Sequence, residues 1–382
     1  MNHERIISQR MVIIPLSLYI HFPWCLSKCP YCDFNSEPLA NRANIAIYVA
    51  RLLDDLEFSS STWRGKKLVS IYFGGGTPSL LSPQEVALVI ERIKKYFSFV
   101  KNIEITLEVN PRTIDLGLYR EFKDGGVNRI SLGVQSFDDA CLNRIKRRHN
   151  SKQAQEAIAA AKLAGFTNLN CDLMFGLPEQ NITKAIEDLR IALSFKPTHI
   201  SWYQLTLEPN SELTVPEEDE IWRMQWLGQD FLSQNGFKQY EVSVYSQSQM
   251  MRSQHNMNYW QYGDYLGIGS GAYSKLTFDN FLIKRYIKIS DPIRYIYAKD
   301  FVEECEIVPI KKLPLEFMLN ALRLYQPITY DLFYKRTGLT IDTIKKRLQS
   351  AENLGLIKLQ NNAIITTSRG KNFLNDLLEI FL

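Results

Sequence analysis

The sequence predicts an α/β fold in which a parallel β-sheet precedes a smaller domain of helices and strands. From about residue 17 to 207, short apolar segments alternate with longer helical patterns. This alternation indicates parallel strands joined by crossover helices. The apolar segments are rich in Ile, Val, Tyr and Phe, which is typical of strands covered on both faces. The pattern leaves two architectures open, an open doubly wound sheet and a partial barrel.

The composition is that of a globular protein without an obvious polyanionic partner. The chain has 382 residues, 45% hydrophobic and 23% charged, with a net charge of +4. This length allows two or three domains, and the small positive charge does not predict binding to nucleic acid or membranes. No apolar stretch reaches the roughly 18 residues that a membrane helix needs, and the sequence shows no signal-peptide pattern. Three of the six cysteines fall between positions 25 and 32, a poor disulfide framework that predicts the reducing cytoplasm.

The predicted elements of the first part follow one another regularly along the chain. Strands are predicted at 17–22, 68–73, 103–109, 129–134, 169–175 and 199–205. Helices are predicted at 45–56, 82–96, 151–164 and 183–193. Ser82 followed by Pro83 is typical of a helix start, and Gly165 is typical of a helix end. Because polar residues follow each strand, we expect a functional face at the carboxyl ends of the strands.

The pattern changes after Pro209. We predict a helix at 217–234, a turn and strand at 236–245, and a loop rich in Gln, Asn, Tyr and Gly up to residue 274. Helices at 315–324, 330–335 and 341–354, a hairpin around Asn361 and Asn362, and a final helix suggest a winged-helix-like α+β domain. We therefore divide the chain into a tail (1–14), a strand–helix domain (15–212), a connecting segment (213–312) and a C-terminal domain (313–382).

Three cysteines form the sharpest motif. Cys25, Cys29 and Cys32 lie on one short segment directly after the first predicted strand. Three thiolates can hold three irons of a [4Fe-4S] cluster and leave the fourth iron open. A zinc site would need a fourth protein ligand, for which His21 is the nearest residue. Three buried structural cysteines are the remaining alternative.

The spacing C-x3-C-x2-C in this position resembles the radical S-adenosylmethionine (SAM) superfamily. The resemblance implies a partial (β/α)6 TIM-type barrel over 15–212, a [4Fe-4S] cluster, and SAM bound to the open iron through its amino and carboxylate groups. Tyr31, before the last cysteine, is typical of that motif. The run GGGTP at 74–78 resembles the glycine motif that receives the methionyl amino group. A tight turn is the alternative explanation of these glycines.

A narrower resemblance covers about residues 16 to 280. The runs LSLYIHFPWC, YFGGGTPSLL, NRISLGVQSFDD and HISWYQLTLEPNS resemble the coproporphyrinogen-dehydrogenase-like branch, which includes oxygen-independent coproporphyrinogen III oxidases and HemW-type heme chaperones. The branch implies that Arg147 offers a cation to the SAM carboxylate, although Arg148 could do the same. Thr206 is equally well explained as a SAM-pocket residue or as plain barrel lining. The complete set expected at the SAM pocket is Tyr19, Tyr31, Gly75, Gly76, Thr77, Glu108, Gln135, Arg147, Asp172, Thr206, Ala272 and Tyr273.

A second motif lies in the connecting segment. His255, Asn256, Tyr259 and Trp260 resemble the H-N-x-x-Y-W motif of HemW-type proteins, which is implicated in heme handling. An imidazole can be an axial iron ligand, and flat aromatic rings can pack against a porphyrin. In the alternative interpretation, the His and Asn anchor a loop and the two aromatic residues fill core space. The resemblance makes segment 213–312 one that completes the barrel and handles heme.

Two departures from the oxidase pattern favour a chaperone over an enzyme. Phe34 stands where the oxidases carry a further cysteine, and only about two dozen residues precede the cysteine segment. The favoured hypothesis is a protein that binds heme and transfers it to acceptors such as respiratory enzymes. The alternative is a radical decarboxylase that converts coproporphyrinogen III to protoporphyrinogen IX. A basic run at 345–347 lacks the aromatic and phosphate-binding pattern of a nucleic-acid site. The sequence leaves monomer and homodimer open.

Overall fold

The first part of the chain alternates strands and helices as predicted. The structure is a computed structural model that describes residues 13–208 and 211–382, so that all but two residues of the predicted tail (1–14) lie outside the described residues. The elements of the first part are β1 (Leu16–Phe22), β2 (Trp24–Cys25), β3 (Glu37–Pro38), α1 (Ala43–Ser60), β4 (Lys67–Gly75), α2 (Pro83–Tyr96), β5 (Ser98–Val109), α3 (Leu116–Asp124), β6 (Arg129–Gln135), α4 (Asp139–Arg144), α5 (Ser151–Leu163), β7 (Asn168–Phe175), α6 (Ile182–Ser194) and β8 (His199–Gln204).

The strand order decides between the two architectures. The strands β1, β4, β5, β6, β7 and β8 are neighbours in that order, and all of these pairs are parallel. A doubly wound sheet would reverse direction at a switch point, whereas this order advances steadily in one direction. The chain therefore forms the parallel (β/α)6 sheet of a partial barrel, and the carboxyl ends of its strands share one face.

The barrel strands separate apolar from polar side chains by strict alternation. In β1, Leu18 and Ile20 belong to the main core, into which the surrounding helices also pack. The intervening Ser17, Tyr19 and His21 face the opposite side, because successive side chains of a strand alternate between its faces. The interior of this barrel is consequently lined by hydrogen-bonding groups, which is unusual for a region needed only for stability.

The connecting segment contributes strands to the same sheet. Its elements are α7 (Glu218–Gln234), β9 (Lys238–Glu241), β10 (Val244–Ser246), α8 (Gln254–Trp260), β11 (Asp264–Ile268), β12 (Tyr273–Thr277), β13 (Ile283–Lys288), α9 (Pro292–Tyr297) and β14 (Val302–Ile307). β11 lies parallel to the other edge of β1, so the sheet has twelve strands. The prediction of a loop up to residue 274 was wrong, because pairing with β1 and burial make this Gly-rich sequence a strand.

The C-terminal part is a small α+β unit, as predicted. Its elements are α10 (Leu313–Ala321), β15 (Ile328–Thr329), α11 (Tyr330–Thr337), α12 (Lys345–Asn353), β16 (Ile357–Gln360), β17 (Ala363–Thr366), α13 (Ser368–Asn372) and α14 (Leu374–Glu379). β16 and β17 form the predicted hairpin, and Asn361 and Asn362 have φ angles of +52° and +56° at its turn. Every helix within residues 13–208 and 211–382 is too short or too polar to cross a lipid bilayer.

One helix packs against the barrel through a glycine. Gly228 in the middle of α7 lies over the buried indole of Trp202 on β8. A Cβ atom at this position would lie 1.8 Å from the indole ring, so only a residue without a side chain allows this approach.

We expect Gly228→Ala to lower the free energy of unfolding by about 1–3 kcal/mol, the usual cost of overpacking a core. Denaturant unfolding followed by circular dichroism measures this change. Ser233→Ala, at an exposed position of the same helix, is the matched control and should leave the midpoint nearly unchanged. Equal midpoints for both variants would contradict the packing described here.

Candidate functional site

The three motif cysteines line one small cavity at the carboxyl end of the barrel. Cys25, Cys29 and Cys32 are free thiols around a space of about 50 Å3. Burial raises the pKa of the Cys25 thiol, and the charges of Cys29 and Cys32 raise it further. A bound metal would offset this cost by holding the sulfurs as thiolates. The donor set therefore suits an iron–sulfur cluster.

The zinc alternative lacks a fourth ligand in the part of the chain that the structure describes. Both ring nitrogens of His21 are engaged, Nδ1 with the Tyr19 hydroxyl at 3.0 Å and Nε2 with the Asn35 carbonyl at 2.8 Å. Among the described residues, no three His, Cys, Asp or Glu side chains are gathered as a single metal ion requires. His21 instead fixes the end of the cysteine segment to the barrel wall.

Glycines occupy the positions beside the cysteines because a side chain would not fit there. Gly75 has a φ of +113°, and a Cβ on it would lie 2.6 Å from the His21 ring. A Cβ on Gly76 would lie 2.4 Å from the Trp24 carbonyl oxygen, and the Thr77 amide donates to that same oxygen at 2.8 Å. Gly76 and Thr77 both line the cysteine cavity. Close approach of two strand ends therefore explains the run better than a tight turn.

Two half-buried carboxyl groups face the barrel interior. Glu108 accepts hydrogen bonds from the Tyr72 hydroxyl at 2.7 Å and from the Gly75 amide at 3.2 Å. Burial raises the pKa of Glu108 to about 7, although the Tyr72 hydrogen bond opposes this shift. Asp172 accepts from the Ser131 hydroxyl at 2.9 Å, and burial raises its pKa as well. Both groups would gain from a cationic or hydroxyl-bearing ligand in the barrel.

The arginine next to the cysteines is Arg147. Its Nη1 donates to the Cys29 sulfur at 3.8 Å, and its Nη2 donates to the Gly133 carbonyl at 2.7 Å. Arg148 is exposed and donates instead to the Ser27 hydroxyl at 3.1 Å. Lys28, Arg147 and Arg148 all line the cysteine cavity, and of these three Arg147 is the one that donates to a cysteine sulfur.

The remaining predicted pocket residues fall into two groups. Gln135, with a φ of +70°, accepts from the Tyr203 hydroxyl at 2.8 Å, and Tyr31 packs against apolar side chains at the ends of β7 and β8. Thr206 is exposed, and Ala272 is buried, but neither lines either of the two cavities described here. Tyr31, Gln135 and Asp172 do not line these cavities either, so the roles of all five residues stay predictions.

A larger cavity of about 490 Å3 adjoins the glycine run. It contains all four residues of the second motif together with predicted SAM-pocket residues. Its full lining is Tyr19, His21, Phe34, Asn35, Gly75, Glu108, His255, Asn256, Tyr259, Trp260, Tyr265, Gly271, Tyr273 and Arg285. Arg285 could not be identified from the sequence, since nothing there shows that β13 borders this space.

His255 lines this cavity. Its Nδ1 lies 3.1 Å from the Ser70 hydroxyl, which itself donates to the Ser17 hydroxyl at 2.8 Å. Ser70 therefore accepts from Nδ1–H, which leaves Nε2 as the lone-pair nitrogen. No hydrogen-bond partner is recorded for Nε2 in the described part of the chain. Burial, assisted by the charge of Arg129, lowers the pKa of His255 to about 3, so the ring is neutral at physiological pH.

The helix that carries His255 is anchored inside the barrel. Glu104 on β5 accepts from the backbone amides of Gln254 at 3.0 Å and His255 at 3.2 Å, and from the Ser253 hydroxyl. Asn258, further along α8, donates to Ser17 at 2.9 Å. Negative charge at a helix amino terminus is favourable, so these contacts fix the direction of the imidazole.

The two aromatic residues of the second motif differ in their environments. Tyr259 is 36% exposed and its ring lies 5.1 Å from that of Tyr265 at the cavity wall. Trp260 packs against a small core cluster, with the Arg323 guanidinium 4.7 Å from its ring. Tyr259 is thus available to a ligand, while Trp260 both lines the cavity and fills core space.

Family comparisons agree with this architecture. The Radical SAM superfamily description matches residues 19–192, and the HemN C-terminal domain matches residues 310–373. The chain is also similar to the crystal structure of the coproporphyrinogen III oxidase HemN from Escherichia coli, with a TM-score of 0.82, 20% identity, and coverage of 98% of this chain and 91% of the other. At that identity the likeness shows the fold alone. The fold and site define a radical SAM protein with a HemN-type C-terminal domain.

Relatives of similar length narrow the assignment. The heme chaperone HemW of Haemophilus influenzae is 41% identical over 96% of this chain and 98% of its own length. The heme chaperone HemW of Escherichia coli is 39% identical with the same coverage. A mitochondrial radical S-adenosyl methionine domain-containing protein 1 from Dictyostelium discoideum is 31% identical over 96% of the chain and 94% of its own length. This chain belongs to the HemW family.

Proposed function

We propose that this chain is a heme chaperone, which binds heme in the barrel cavity and transfers it to acceptor proteins such as respiratory enzymes in the cytoplasm. The relatives named as heme chaperones match nearly its full length, which supports this proposal. The proposal includes a [4Fe-4S] cluster on Cys25, Cys29 and Cys32, and SAM next to it.

The observation that carries the proposal is the environment of His255. A neutral imidazole lines a cavity of about 490 Å3, and Ser70 holds its Nδ1, so that Nε2 is the nitrogen left to bind a metal. Ligand cavities span roughly 300–1,000 Å3. A second group that holds the non-ligating nitrogen is the usual arrangement for a histidine that binds a metal. His255 is therefore the proposed axial ligand of the heme iron.

The cluster and SAM have a matching set of groups. When bound, the cluster supplies one electron to the SAM sulfonium. The residues of the chain hold and orient SAM. Arg147 offers N–H donors to its carboxylate, and Glu108 and Asp172 offer acceptors to its amine or hydroxyl groups. Gly75 lines the larger cavity and Gly76 lines the cysteine cavity, so both lie where the ligand would bind.

The oxidase alternative is tested directly by an activity assay. The protein with its reconstituted cluster is incubated without oxygen with SAM, a reductant and coproporphyrinogen III, and decarboxylated porphyrin is quantified. Product above the level of a cluster-free sample would make the chain an oxidase despite Phe34. We expect no product from protein that carries a full cluster.

Heme transfer is then measured between the heme-loaded protein and the apo form of a b-type cytochrome. We expect the acceptor spectrum to appear at a rate that increases with acceptor concentration. A rate independent of acceptor concentration would indicate that heme simply dissociates into solution, and would contradict chaperone activity.

A further inference from the structure

The larger cavity carries one permanent cation. Arg285 on β13 lines the same space as His255. The other ionisable groups in the described lining are Glu108, two histidines and several tyrosines. Of these, only the guanidinium keeps its positive charge at any physiological pH. A ligand of this cavity that carries a carboxylate would therefore find its counter-charge at Arg285.

The guanidinium has donors to spare. Its Nη2 donates to the Glu316 carboxylate at 2.6 Å, and its Nη1 donates to the Tyr265 hydroxyl at 3.3 Å. A guanidinium has five N–H bonds arranged for bidentate contact with carboxylates. The side chain is 29% exposed, so it can reach a ligand without unfolding of its surroundings.

Glu316, the ionic partner of Arg285, lies in another part of the chain and has a second hydrogen-bond donor. Glu316 lies on α10 of the C-terminal unit and also accepts from the Tyr262 hydroxyl at 2.7 Å. If Arg285 turned to a ligand, Glu316 would keep this hydrogen bond and its 19% exposure to water. Ion pairs that are partly open to solvent are weak, so the exchange has a low cost.

We propose that Arg285 binds a propionate carboxylate of the tetrapyrrole in this cavity, and that the carboxylate replaces Glu316 as its ionic partner. This proposal rests on the proposed function, because it assumes that the cavity holds a tetrapyrrole. Iron coordination by His255 and carboxylate binding by Arg285 would then fix the ring at two points. Ligand binding would also release the ion pair between β13 and α10.

The test compares heme with its dimethyl ester, in which both propionates are esterified. The affinities of the protein with its reconstituted cluster for both compounds are measured by absorbance titration in the same dilute detergent. Arg285→Gln should weaken heme binding about tenfold to a hundredfold, the range expected for a charge-assisted hydrogen bond. The same variant should bind the ester as the unmodified protein does.

Two further variants separate charge from structure. Arg285→Lys keeps the charge but not the planar fork, so it should restore part of the heme affinity lost in Arg285→Gln. Glu316→Gln removes the competing carboxylate and keeps the side-chain shape, so it should tighten heme binding and leave ester binding unchanged. SAM affinity, measured separately, should be the same in all three variants.

The outcomes distinguish this inference from the proposed function. If Arg285→Gln weakens the binding of heme and of the ester equally, Arg285 does not bind the propionate. The same conclusion follows if it weakens the binding of neither compound. If it weakens SAM binding instead, the carboxylate it recognises is that of SAM, and the inference is wrong. If the unmodified protein binds neither heme nor ester, the proposed function itself fails.

Discussion

Cys29→Ala is expected to remove the iron–sulfur cluster. The three cysteines of this cavity are the thiolate donors that the structure gathers there, and Cys29 also accepts the Arg147 hydrogen bond. Outer-shell changes around metal sites already cost about 10–100-fold in affinity, so loss of a ligand should cost at least that much. Iron and sulfide analysis of the anaerobically reconstituted protein, together with its visible absorbance, measures the effect.

Cys305→Ala is the matched control for this experiment. Cys305 is a free, exposed thiol on β14 and lies outside the cavity. We expect the control to bind as much iron as the unmodified protein. Full iron content in the Cys29 variant would show that the three cysteines are not the cluster ligands, and would favour the structural alternative.

The barrel could be predicted because its signal is local. Each of its six strands is a short, largely apolar run, and helical patterns at 45–56, 82–96, 151–164 and 183–193 lie between them. The polar barrel interior was not predicted, because the strands were read as apolar on both faces, whereas in β1 Leu18 and Ile20 lie on one face and Tyr19 and His21 on the other. Cofactor residues at strand ends follow from this regularity together with the cysteine spacing.

The larger cavity could not be predicted because its contacts join distant parts of the chain. Glu104 accepts a hydrogen bond from the Gln254 amide, which lies 150 positions away, and no local pattern links the two residues. The segment around residue 264 has the Gly content of a loop and becomes a strand only by pairing with β1. Arg285 is one charged residue among many until β13 is placed at the cavity wall. Long-range strand pairing thus places these residues at the cavity, which local propensity could not predict.

Replacing His255 with alanine should weaken heme binding and leave the cluster intact. Loss of the axial imidazole should lower heme affinity at least about tenfold, which corresponds to about 1.4 kcal/mol of binding free energy. His255 bonds to Ser70 on β4, whereas the cysteines lie in the other cavity, so iron and sulfide content should not change. Heme titration and the heme absorbance spectrum measure binding and ligation together.

Lower affinity alone would not prove iron coordination, because His255 also belongs to the helix that Glu104 anchors. Free imidazole separates the two explanations. In the alanine variant it can enter the space left by the ring, bind the iron and restore the spectrum of an imidazole-ligated heme. A role limited to anchoring α8 would not be restored, since imidazole cannot replace a covalently attached side chain. Gln254→Ala, at the exposed neighbouring position, should match the unmodified protein throughout. Unchanged affinity and spectrum in the His255 variant would show that His255 does not coordinate the heme iron.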